Sequence, residues 1–217
     1  GFAKMVLKKI DWTWFSLKLF AHLLALTPIA LLLYRALQNQ LGADPIAALT
    51  HQTGDWALRF LLLSLAMTPL RLILKKSWPI RFRRMIGLYA FFYASLHFSV
   101  YLFLDLGSYW SQIGADIIKR PFITVGFTAW LLLVPLALTS NQWMMRKLKK
   151  NWLKLHKLVY AIGILGVVHY YWLVKSDVRE PLLYAGILAV LFAIRLKPRL
   201  HSWLENRRVV QYGQKSA

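Results

Sequence analysis

The stretch Trp152–Val174, WLKLHKLVYAIGILGVVHYYWLV, decides the fold class. As one helix its 23 residues would extend about 35 Å, enough to cross the roughly 30 Å hydrocarbon core of a bilayer. Its lysines, Lys154 and Lys157, lie near its start, and the stretch also contains two histidines, His156 and His169. Ionisable side chains within a span are costly and usually functional. The stretch therefore predicts both a membrane span and part of a site.

Five further apolar runs of suitable length flank this stretch on its two sides. With it, the predicted spans are residues 14–33, 56–74, 85–104, 121–139, 152–174 and 181–196. The hydrophobic content of 58% and mean hydropathy of +0.46 exceed the values usual for soluble domains. We therefore predict an all-α polytopic membrane protein, folded as a bundle of six transmembrane helices in one domain over residues 1–217.

The 28 Lys and Arg residues are concentrated in alternate connections between these runs. By the positive-inside rule this places both termini in the cytoplasm and leaves three short loops on the outer side. The clusters fit membrane insertion and binding to anionic lipid, or docking of an acidic cytoplasmic partner. The net charge of +20 does not indicate nucleic-acid binding, because it is divided among short clusters between apolar runs.

Several classes of chemistry are excluded by composition and motif. The chain has no cysteine, which rules out disulfides, thiolate metal sites, iron–sulfur clusters and covalently attached haem. It also lacks Ser–His–Asp, H-E-x-x-H, P-loop and G-x-G-x-x-G patterns, so hydrolase and ATPase functions have no support. No catalytic residue is predicted.

Two histidines are expected at equal depth in helices that run in the same direction. His97 precedes Asp105 by eight residues, and His169 precedes Asp177 by eight, which puts both about 12 Å inside the outer boundary. Neutral imidazoles on two facing helices can bind one haem iron from both sides, an arrangement suited to electron transfer. We therefore predict His97 and His169 as axial ligands of haem iron.

The remaining histidines are harder to assign. His156 lies thirteen residues before His169, about 140° away around a straight helix, and a bend near Gly163 and Gly166 is needed to align the two. His156 is either an alternative haem ligand, a ligand of a second haem together with His22, part of a quinone or flavin site, or a hydrogen-bonded interfacial residue. His51 in the first outer loop and His201 in the C-terminal tail are expected to be solvated.

The chain resembles the MsrQ (YedZ) family of haem-binding membrane subunits, within the ferric-reductase-like transmembrane superfamily. The resemblance extends over nearly the whole chain. It is carried by residues 41–45 (LGADP), 83–88 (RRMIGL), 96–97 (LH), 119–121 (KRP), 138–140 (LTS), 152–160 (WLKLHKLVY), 169–170 (HY) and 181–186 (PLLYAG).

The resemblance implies a b-type cytochrome of the bacterial inner membrane. Such a protein takes electrons from the quinone pool or a cytoplasmic flavin reductase and passes them to a periplasmic molybdopterin partner, MsrP. That partner carries out the sulfoxide chemistry and so repairs oxidised periplasmic proteins. By resemblance the haem histidines are His97, His156 and His169, with His97 and His169 as the axial pair, and FMN is a further cofactor whose site the sequence does not show.

Two other functions remain open at this point. One is a standalone ferric-reductase-like enzyme that reduces metal ions or oxygen, a class that usually carries a fused flavin and nicotinamide domain. The other is a transporter or proton channel in which the histidines form a relay. A b-type absorption spectrum would separate both redox functions from transport.

Overall fold

The structure, a computed structural model, describes residues 11–107, 109–174 and 176–196. In this part of the chain the helices are α1 (Trp12–Leu37), α2 (Pro45–Leu74), α3 (Trp78–Val100), α4 (Ile113–Lys119), α5 (Pro121–Leu138), α6 (Gln142–Leu148), α7 (Lys150–His156), α8 (Leu158–Leu173) and α9 (179–196). A π-helical turn, Tyr101–Asp105, continues α3, and a 3-10 turn, Trp110–Gln112, precedes α4. The N-terminal lysines before Asp11 and the tail with His201 lie outside the described residues.

The prediction of an all-helical membrane protein is confirmed for the described residues. Four helical segments there are long and apolar enough to cross a bilayer: Trp12–Leu37, Pro45–Leu74, Trp78–Asp105 and Pro121–Leu138. They contain the first four predicted spans. The fifth and sixth predicted spans correspond to α7 with α8 and to α9, which do not meet the same criteria.

The fifth predicted span is interrupted at Lys157, between α7 and α8. A tight turn at Lys157 separates α7 from α8, with Lys157 N–H bonded to the Lys154 carbonyl at 3.2 Å. Helix α8 then runs unbroken through Gly163 and Gly166, the two glycines at which a bend could have aligned His156 with His169. A Cβ on Gly163 would lie 3.2 Å from Leu188, which shows that this glycine allows close helix packing instead of a bend.

Helix α2 begins well before its predicted span because its first residues form a cap. The Asp44 carboxylate accepts a hydrogen bond from Ala47 N–H at 3.0 Å, and Pro45 occupies the first helical position, where its missing N–H costs nothing. The Asp-Pro pair therefore starts a helix. As a result His51, expected in a loop, lies in the first turns of α2 with an exposed side chain.

Side chains of other helices bond to the backbone of α2 and α1 near Pro69 and Pro28. Pro69 has no N–H to bond the Leu65 carbonyl, and the Arg195 guanidinium of α9 donates to that carbonyl instead. In α1 the Tyr93 hydroxyl inserts between two backbone groups next to Pro28. It accepts a hydrogen bond from Ile29 N–H at 3.2 Å and donates one to the Ala25 carbonyl at 2.7 Å. These contacts join α2 to α9 and α1 to α3.

The core lies between α2, α3, α5 and α8. Its most buried side chains include Leu65, Tyr93 and Ile162, each at most 2% exposed. Many large apolar side chains of α1 face outward, among them Phe20, Leu23 and Leu31. This distribution fits helices whose outer faces contact lipid, where apolar exposure carries no penalty.

Candidate functional site

The structure brings the side chains of His97 and His169 together. His97 lies in the last turns of α3, and His169 lies one turn before the end of α8. Their ring centroids are 6.0 Å apart and their planes are inclined at 76°. Two imidazoles from different helices thus face one another in the interior of the bundle.

Each of these two histidines is held by a backbone carbonyl through the same ring nitrogen. His97 Nδ1 lies 2.9 Å from the Thr50 carbonyl oxygen, and His169 Nδ1 lies 2.6 Å from the Phe122 carbonyl oxygen. A carbonyl oxygen only accepts, so Nδ1 is the protonated nitrogen that donates in both rings. Nε2 therefore carries a lone pair, and this is the arrangement that metal-bound histidines usually show.

Glycines on two neighbouring helices make room for the two imidazoles. A Cβ on Gly126 of α5 would lie 2.6 Å from His169 Nδ1, and one on Gly54 of α2 would lie 3.1 Å from the ring of His97. The first distance is shorter than real Cβ contacts, so a larger residue at 126 would displace the ring. Glycine inside a helix costs about 1 kcal/mol relative to alanine, so these positions give up helix stability in favour of the histidine pair.

A cavity of about 280 Å³ adjoins both histidines. Most of its wall is apolar or aromatic, and Leu58, Phe98, Trp130 and Leu133 are examples. A mostly apolar cavity with a few convergent polar groups is typical of a cofactor site. The apolar wall surrounds two imidazoles that are themselves only partly exposed.

One end of this cavity, which we call the Arg120 end, carries charged and hydroxyl groups. Arg120 precedes α5 and donates through Nη2 to the Asp116 carboxylate, which also accepts from the Tyr101 hydroxyl at 2.5 Å. The hydrogen bond from the guanidinium holds the pKa of Asp116 below its ordinary value. Asp116 is therefore ionised at neutral pH, and Arg120 is fixed beside it.

His156 lies at the opposite end of α5 and contacts a different set of groups. Its Nε2 is 2.9 Å from the Thr139 hydroxyl, and its ring stacks on Trp152 at 4.0 Å between centroids. Trp152 Nε1 in turn donates to the Thr139 carbonyl at 3.0 Å. His156 does not line the cavity beside His97 and His169.

His22 is placed apart from His156 as well as from the cavity. Its Nδ1 lies 2.7 Å from the Tyr89 hydroxyl, and the side chain is exposed on α1. No contact between His22 and His156 is found within the described residues. Their arrangement gives a shared second haem no geometric support.

Several groups around the pair were not singled out from the sequence. These are the Thr50 and Phe122 carbonyls, Gly54, Gly126 and Arg120. Backbone carbonyls leave no trace in a residue pattern. A glycine inside an apolar span does give a signal of close approach, and Gly126 in the fourth span gives such a signal.

Comparison with known proteins places the chain among membrane redox subunits. A family model described as the ferric reductase like transmembrane component matches residues 53–167, a range that contains His97 and His156 and ends just before His169. The chain is 59% identical over 189 residues to the protein-methionine-sulfoxide reductase heme-binding subunit MsrQ of Xanthomonas euvesicatoria, covering 84% of this chain and 87% of that one. It is 53% identical over 165 residues to the protein of the same name from Rhodospirillum rubrum, covering 76% and 79%. No solved structure matches the chain.

Proposed function

The chain belongs to the ferric-reductase-like transmembrane family and, within it, to the MsrQ heme-binding subunits, and on this premise we propose that it is a b-type cytochrome that relays electrons across the bacterial inner membrane. The observation that carries the proposal is the facing pair of imidazoles, each with Nδ1 bonded to a backbone carbonyl.

The residues of the site fit a haem held between His97 and His169. With roughly 2 Å from a metal to each imidazole nitrogen and about 1 Å from nitrogen to ring centre, one metal atom between two rings separates their centroids by about 6 Å. The observed separation is 6.0 Å. When bound, haem supplies a one-electron couple whose two axial positions are filled by the protein.

The surrounding residues have separate tasks in this proposal. The Thr50 and Phe122 carbonyls fix the tautomer and the orientation of His97 and His169. Gly126 and Gly54 give the rings their space. The apolar wall lowers the local dielectric constant, which strengthens every charge interaction with the site.

The position of the pair along the bundle supports the proposed outward direction of electron transfer. The Phe122 carbonyl that holds His169 is in the first turn of α5, so the pair lies toward the Arg120 end. If both termini are cytoplasmic and the chain crosses six times, that end faces the periplasm. Electrons then enter from the quinone pool or a cytoplasmic flavin reductase and leave to an MsrP-type molybdopterin reductase that reduces methionine sulfoxide. FMN as a further cofactor rests on family resemblance alone.

Haem content in histidine variants tests the site. We expect purified wild-type protein to show a b-type spectrum, and His97→Ala and His169→Ala to lose most of the bound haem. His156→Ala and His22→Ala are the matched controls and should keep the spectrum. Unchanged spectra in both His97→Ala and His169→Ala, or a colourless wild-type protein, would refute the proposed site.

Oxidation of the reduced protein tests the partner. The dithionite-reduced cytochrome in proteoliposomes should be reoxidised when a periplasmic molybdopterin sulfoxide reductase and methionine sulfoxide are both added, and not by methionine sulfoxide alone. Rapid reoxidation by a ferric chelate without the partner would favour the standalone metal reductase. A pH-dependent ion flux without any chromophore would favour the histidine-relay transporter.

A further inference from the structure

Arg120 has a buried hydrogen-bond donor that bonds to no described residue. Its Nη2 donates to Asp116, but its Nε–H is buried and has no hydrogen-bond partner within residues 11–107, 109–174 and 176–196. A buried donor without an acceptor is destabilising, and more so when the group is charged. Such an atom is expected to meet an acceptor supplied by something that binds.

The same side chain is part of the cavity wall that also contains His97 and His169. The guanidinium lies 5.7 Å from the centre of the Phe122 ring and 6.0 Å from that of Tyr101. Phe122 carries the carbonyl that holds His169. Arg120 is thus linked through one residue to the proposed iron ligand, and it faces the same space.

The position of Arg120 is fixed by two neighbours. Asp116 accepts from both the guanidinium and the Tyr101 hydroxyl, and the two aromatic rings lie against the guanidinium. Arginine presents a rigid fork of donors that suits planar carboxylates. Because Nη2 is bonded to Asp116, the Arg120 side chain has little freedom. The direction of its Nε–H is therefore fixed as well.

We propose that the buried Nε–H of Arg120 binds a propionate carboxylate of the haem, with Asp116 and Tyr101 orienting the arginine. The proposal rests on the proposed haem site between His97 and His169. It assigns Arg120 as a cofactor-binding residue and Asp116 and Tyr101 as positioning residues. It also gives the haem a defined edge toward the Arg120 end, because only that edge of the macrocycle bears carboxylates.

Haem release measures this contact without any electron-transfer assay. Haem passes from the purified protein to excess apomyoglobin, and the rate is followed by absorbance. A charged hydrogen bond contributes about 1.5–3 kcal/mol, so Arg120→Gln should release haem at least about tenfold faster than wild type. Arg179→Gln is the matched control, since Arg179 is exposed, is paired with Asp177 and does not line the cavity; its release rate should equal that of wild type.

A modified haem without free carboxylates distinguishes a carboxylate contact of Arg120 from a merely structural role of this residue. The apoprotein is reconstituted with haem dimethyl ester, in which both propionates are uncharged esters. Wild type and Arg120→Gln should then release this haem at rates within about twofold of each other. An equal acceleration by Arg120→Gln with both haems, or no acceleration with either, would overturn the assignment.

A replacement variant is available for the haem-release measurements. If Arg120→Gln does not accumulate, Arg120→Lys replaces it in the same pair of measurements, since lysine keeps the charge next to Asp116 but not the fork of donors. Faster release of haem but not of its ester supports the assignment, and equal rates for both contradict it. A wild-type protein that binds no haem at all is a different result, because it refutes the proposed function itself.

Discussion

The histidines at the two ends of α5 differ in which ring nitrogen is hydrogen-bonded. At the Arg120 end, His97 and His169 each use Nδ1 on a backbone carbonyl, which leaves Nε2 free to bind a metal. At the other end, His156 has its Nε2 on the Thr139 hydroxyl. A histidine in an apolar helix therefore becomes a candidate ligand only when its second nitrogen is already held by an acceptor.

Gly126→Ala is expected to have the largest effect, because it disturbs the hydrogen bonding of the histidines at the Arg120 end. The added Cβ would lie 2.6 Å from His169 Nδ1, so the ring must move and its bond to the Phe122 carbonyl must break. Loss of such a supporting contact costs roughly tenfold to a hundredfold in metal affinity, and haem per polypeptide should fall accordingly. Gly54→Ala, with a 3.1 Å contact to His97, should have a smaller effect.

Gly186→Ala is the control for that pair, because its Cβ would meet nothing within 4 Å. Haem content should be unchanged in this variant, which gains helix propensity. Full haem occupancy in Gly126→Ala would mean that the ring of His169 is not constrained as the structure shows.

The pairing of His97 with His169 was predicted from their matching positions, each eight residues before an aspartate. The eight residues are not regular α-helix in either case, since a π-helical turn follows α3 and α8 ends at Leu173. The hydrogen-bond partners of these two histidines on other helices could not be predicted. Thr50 and His97 are 47 residues apart, and so are Phe122 and His169, and no local pattern encodes such contacts. The break at Lys157 was not predicted, because no Gly or Pro marks it in the sequence. Gly163 and Gly166 lie within continuous helix and allow close contacts with Leu188 and Leu58.

Next in size is the effect of Thr139→Val, which acts at the other end of α5. It removes the hydroxyl bonded to His156 and leaves that nitrogen without its partner, at a cost of about 1–3 kcal/mol. The thermal midpoint of the detergent-solubilised protein should fall, while the haem spectrum stays as in wild type. Thr128→Val is the control, since among the described residues its hydroxyl bonds only to the Thr124 carbonyl of the same helix. A lost or altered spectrum in Thr139→Val would place His156 in the haem site and remove the contrast between the two ends.

A smaller loss of stability is expected from Tyr89→Phe, which deletes the hydroxyl bonded to His22. Because the His22 side chain is exposed, water replaces the lost partner and the cost should be about 0.5–1 kcal/mol. Haem stoichiometry should not change. If haem per polypeptide dropped by half, His22 would belong to a second haem site after all.

Lowering the pH should have the smallest effect on thermal stability, and this effect should come from Asp116 at the Arg120 end. The pKa of Asp116 is depressed by Arg120, so its ion pair contributes stability above the ordinary carboxyl pKa of 3.8, and that contribution is lost as the pH falls through the lower folded-state pKa. Because the Arg120 side chain is 38% exposed, the contribution is screened and should stay below about 1 kcal/mol. Wild type should therefore melt slightly above Asp116→Asn at pH 6, and the gap should close below about pH 4. A gap that widened in acid would mean that Asp116 is protonated in the folded protein, and Arg120 would then lack the anion that orients it toward the cavity.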